Sequence, residues 1–171
     1  MRRYIGKVSL TFAATLLVLG CTIKKEVNSM NNEKDILTVS ASCKGANGCS
    51  YNGAHELFIE VNITNVSEHD VGIPLEFVKK TGPSVTLEDK KTGKKAYLKV
   101  NLVDLSLKDK LTILHPNTSM AFEWVIFDNE LKQFDSLHVD VLATVALPMT
   151  VSANNQLKYF IGKTVLHIVG Q

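Results

Sequence analysis

Leu57-Phe58-Ile59-Glu60-Val61-Asn62-Ile63-Thr64 decides the fold. Leu57, Ile59, Val61 and Ile63 alternate with Phe58, Glu60, Asn62 and Thr64. A period of two places one set in a core and the other toward solvent, so the segment predicts a half-buried β-strand. The pattern repeats outward in both directions. Leu37, Val39, Ala41 and Cys43 alternate with Thr38, Ser40 and Ser42. Met120, Phe122, Trp124 and Ile126 alternate with Ala121, Glu123, Val125 and Phe127. Leu137, Val139, Val141 and Ala143 alternate with His138, Asp140 and Leu142, and Tyr159 to Val169 closes the chain.

Between these runs lie shorter ones. Val71 to Val78 is apolar with Pro74 inside it, which suggests an edge or bulged strand. Val85, Leu87 and Asp89 lead into Lys90-Lys91-Thr92-Gly93-Lys94-Lys95, a hairpin turn whose Gly93 can supply a left-handed position, and Tyr97 to Val103 returns from it. Leu111 to Leu114 runs to a turn at His115-Pro116-Asn117. The one helical piece expected is Asp128 to Phe134. About nine short strands with polar turns predict an all-β chain folded as an antiparallel β-sandwich. The step Leu114-His115-Pro116-Asn117-Thr118-Ser119 followed by Phe122-x-Trp124 resembles bacterial immunoglobulin-like domains, which implies an immunoglobulin-like sandwich and no function by itself.

The first twenty residues are of another kind. Arg2, Arg3 and Lys7 precede an apolar run from Val8 to Leu19, the layout of a secretory signal peptide and too short to span a membrane. The run ends in Val18-Leu19-Gly20-Cys21, which resembles the lipobox of bacterial lipoproteins. That resemblance implies cleavage before Cys21 and a diacylglycerol on its thiol. It divides the chain into a signal peptide (1–20), a lipidated cysteine with a polar, aperiodic tether (21–34) and a β-sandwich domain (35–171). The same resemblance, with Thr22 after the cysteine, implies the outer membrane facing the periplasm in a Gram-negative cell. The membrane is thus an expected partner, through the lipid.

Composition then bounds the function. Three of the nineteen basic residues lie in the leader, so the remainder carries 16 basic against 17 acidic residues, formally −1. Nothing there points to nucleic acid. With Cys21 lipidated, Cys43 and Cys49 remain, an even number that suggests a disulfide in an exported chain. It would close Lys44-Gly45-Ala46-Asn47-Gly48 and contribute about 2 kcal/mol or less. A metal pair or two free thiols are the competing readings.

Catalytic patterns are missing. His55-Glu56 begins like a zinc-protease motif, but Ile59 stands where the second histidine belongs, and no Gly-x-Ser-x-Gly elbow or phosphate-cradling glycine loop occurs. The five histidines are separated in sequence, and Asp104 with Asp109, or Asp128 with Glu130, lacks the ligand set of a calcium loop. No cofactor and no metal is expected, and an enzyme is the least favoured class. The lysines at 90–95 could rest on anionic head groups, though such residues also simply solubilise a hairpin tip.

The expectation is therefore a lipid-anchored envelope protein that binds another protein, as an inhibitor or immunity protein against a periplasmic toxin or lytic enzyme. A structural accessory lipoprotein of an envelope assembly is the alternative. The expected contact residues are Tyr51 and Asn52 beside the Cys43–Cys49 loop, and Phe127 and Phe134 at the ends of the helical piece.

Overall fold

The computed structural model describes residues 36–45, 48–134 and 138–170; Cys21, the leader and the tether lie outside the described residues, as does Leu137. The described residues form two β-sheets packed as a sandwich-like arrangement. The smaller contains β1 (Leu37–Cys43), β3 (Leu57–Asn65) and β8 (Ser119–Ile126) in the order β1-β3-β8, all antiparallel. The alternation of the sequence is obeyed: Leu57, Ile59, Val61 and Ile63 are buried, as are Phe122 and Ile126.

The larger sheet is organised on β9 (Asp140–Ala153), which pairs along its whole length with β10 (Gln156–Gly170). Asn154 and Asn155 join the two with positive φ of 51° and 59°, the left-handed pair that a two-residue hairpin needs. On its other flank β9 is shared. β5 (Ser84–Asp89) covers Val141–Ala146, and β4 (Val71–Ile73) covers only Ser152 and Ala153. β6 (Lys95–Tyr97) pairs with β5, and β7 (Thr112–Leu114) with β4. One pairing is parallel: β2 (Ser50–Tyr51) against the end of β10. Val141, Val145, Leu147 and Val151 of β9 join the residues of β3 in one hydrophobic core.

The expected strand from Val71 to Val78 is replaced. It stops at Ile73, and Pro74 leads into α1 (Leu75–Thr81). Leu75 and Val78, three apart, are the buried pair, with Glu76 exposed; seven residues are too few for a helical period to stand out. Gly82, with φ 79°, ends the helix and donates its N–H to the carbonyl of Val78. The expected return strand Tyr97–Val103 also stops short, at Tyr97. Beyond it the main-chain N–H of Asn101 donates to Thr81 O at 3.0 Å and its side-chain amide to Lys80 O at 3.0 Å. Both carbonyls belong to the last turn of α1, which lacks partners of its own. A 3₁₀ turn, Leu105–Asp109, follows.

Asn65 is the buried polar residue of the core. Its amide donates to the carbonyls of His69 and Leu114 at 2.7 and 2.8 Å, and its Oδ1 accepts from Ser67 N and Oγ. It ties the β3–β4 turn to β7, with its donors and acceptor all occupied.

Candidate partner-binding surface

The disulfide and the helical piece meet at one end of the sandwich. Cys43, the last residue of β1, is joined to Cys49, with 5.0 Å between their Cα atoms. The chain then enters β2, where Tyr51 is 2% exposed and its hydroxyl donates to Asp128 Oδ1. Asp128 opens α2 (Asp128–Leu131) and also accepts from Lys132 Nζ at 2.6 Å. Burial first, and then the Asp128 carboxylate, pushes the Tyr51 phenol up to about 12. The hydrogen bonds from Lys132 and Tyr51 hold the Asp128 carboxyl below the usual carboxylate range.

Tyr51 and Phe134, expected as contact residues, are buried. Phe134 is 3% exposed and lies under Lys94, whose ammonium is 5.5 Å from the ring centroid. Both rings were expected at the surface because they flank loops; the core claims them instead, Tyr51 through its pairing with β10. Asn52 and Phe127 are exposed. Asn52 accepts from Ala54 N at 3.1 Å and shapes the turn that precedes β3. Phe127, 55% exposed, is held by Glu130, whose carboxylate accepts the Phe127 N–H at 2.9 Å while its own N–H donates back to Phe127 O at 3.0 Å.

Phe58 is the surface residue that the sequence reading passed over. It is 45% exposed, stands opposite Val125 across the β3–β8 ladder and shares a shallow groove of about 200 Å³ with Asn52 and Lys44. An aromatic side chain on the solvent parity of an alternating strand was the available signal. Lys44 bonds Glu123 and lies 4.0 Å from Glu60, so a charged rim adjoins the aromatic patch. The Glu123 contact raises the Lys44 ammonium.

The lysine hairpin is largely engaged. Lys90 lies 3.5 Å from Asp140, Lys95 3.0 Å from Glu88, and Lys94 donates to Gln133 O at 2.7 Å. His55 and Glu56 are exposed in the turn before β3. Among the described residues no three His, Cys, Asp or Glu side chains cluster as metal ligands, and no helix is long and apolar enough to cross a membrane.

No family model matches the chain, and no curated protein does. Among solved structures, a Northeast Structural Genomics Consortium target is 9% identical at a TM-score of 0.41, with 78% of this chain and 84% of that one covered. A β-glucosidase from Erythrobacter marinus is 8% identical at 0.40, and the match spans 78% of this chain but only 15% of the glucosidase. A protein from Archaeoglobus fulgidus is 9% identical at 0.35, covering 78% and 96%. Likeness at this level carries no argument about what the chain does.

Proposed function

We propose that the protein is a lipid-anchored envelope protein whose immunoglobulin-like sandwich binds another protein. In this reading Cys21 carries the lipid, the domain faces the periplasm from the outer membrane, and the partner is a toxin or lytic enzyme that the domain neutralises. The observation that carries the binding role is the exposed Phe58, in a groove with Lys44 and next to the Lys44–Glu123 ion pair, with Phe127 exposed at the start of α2. Aromatic anchors with a charged rim are the usual composition of a protein–protein contact.

The test is a crosslinked pull-down from intact cells with three baits: the parent, Cys21→Ser, and Phe58→Ala with Phe127→Ala. One soluble enzyme recovered with the parent and with Cys21→Ser, and lost from the double aromatic variant, supports an inhibitor or immunity protein. Recovery of membrane components only with the lipidated form supports an accessory role in an assembly. Recovery unaffected by the aromatic substitutions refutes the surface.

A further inference from the structure

The shared flank of β9 leaves a gap. β5 pairs as far as Ala146 and β4 begins at Ser152, so no described strand pairs with Leu147–Val151 on that side. The chain between β4 and β5 is α1, and between α1 and the unpaired stretch lies a cavity of about 460 Å³. This is within the roughly 300–1,000 Å³ of small-molecule sites. Its walls are mainly apolar: Phe77 and Val78 from α1, Leu147 and Met149 from β9, and Val100 from the segment after β6.

One polar feature breaks that lining. Lys108 contributes a cation at the edge, its ammonium 4.9 Å from the centroid of the Phe77 ring. Among the described residues no carboxylate pairs with it.

We propose that this cavity binds a free carboxylate-headed acyl chain, with the chain between α1 and β9 and the head group on Lys108. An apolar slot with one cation at its mouth fits an anionic amphiphile better than a neutral one. The site is separate from the Phe58 and Phe127 surface and does not depend on that reading.

Trp124 supplies the readout, because it is the single tryptophan and its ring packs on Gly82, which lines the cavity. The full chain carrying Cys21→Ser, in detergent-free buffer, is titrated with sodium dodecanoate while tryptophan emission and heat are followed. The expected result is saturable 1:1 binding, about tenfold weaker with Lys108→Glu or with dodecanol, and abolished in Val100→Phe, which fills the mouth. Thermal melts of both variants establish that they fold, and Lys108→Glu alone suffices if Val100→Phe does not. Phosphatidylglycerol vesicles test a membrane as the alternative source. Absence of saturable binding, equal affinity for dodecanol, indifference to Lys108→Glu, or a response to vesicles alone would each overturn the proposal.

Discussion

Gly162 of β10 and Val39 of β1 press the two sheets together: a Cβ placed on Gly162 would stand 2.1 Å from Val39 Cγ2 and 2.6 Å from its Cβ. Only hydrogen fits between them. Gly162→Ala should therefore destabilise by about 1–3 kcal/mol, the cost of forcing a methyl into a filled contact. Val39→Ala opens the space, so the double variant should be more stable than the two single losses predict, by about 1 kcal/mol. Denaturant unfolding of the four proteins measures the coupling; additive losses would mean that the sheets do not meet there.

The Tyr51–Asp128 hydrogen bond makes an alkaline prediction. The folded phenol is raised to about 12 from its ordinary 10.0. The native state thus holds the proton where the unfolded state has released it. The resulting stability is fully present below pH 10 and is lost as pH rises through about 12. Tyr51→Phe should remove that alkaline loss and cost about 1–2 kcal/mol at neutral pH. Tyrosinate absorbance measured during alkaline titration provides the check: the component that develops near pH 12 should vanish in the variant.

Acid should act through carboxylates held by turns. Asp89 is kept below its ordinary range first by the Thr92 N–H, Asp104 by the Ser106 N–H, and Asp140 by His167. Each binds fewer protons folded than unfolded, so stability is present above about pH 4 and falls as pH drops through the folded values. Asp89→Asn should flatten part of that fall. Thermal melts from neutral pH downward would contradict this if the variant declined as steeply as the parent.

Removal of the Cys43–Cys49 bridge should cost about 2 kcal/mol, since the loop it closes is short. Paired Cys43→Ala and Cys49→Ala substitutions should leave the sandwich folded in far-UV circular dichroism while loosening the loop beside Asn52. Complete unfolding would show that the bridge holds more than a loop.

The inward face of a strand was legible in the sequence wherever its two faces differ in polarity, as in β3. The continuity of β9 was not read, although Val145, Leu147, Met149 and Val151 keep the alternation of Val141 and Ala143. Pro148 interrupts the strand signal, since proline leaves the ladder one donor short. α1 was hidden for a different reason: Leu75, Phe77 and Val78 continue the apolar run of β4 and pass for a strand. At the surface, sequence position alone could not separate Tyr51 and Phe134, which the core takes, from Phe127, which it leaves out. That choice depends on β10, more than a hundred residues after Tyr51.

The long hairpin of β9 and β10 governs when this protein can exist. β1, β3 and β8 all precede it in the chain, so a product lacking it still carries the strands of the smaller sheet. Its apolar side, with Ile59, Val61 and Ile63 on it, then has nothing to rest on. The covering sheet is built around residues 140–170, which follow all three of those strands in the chain. A message cut short anywhere before them yields a product with a bare greasy face, the kind of surface that chaperones and proteases recognise. The core closes only when that hairpin docks.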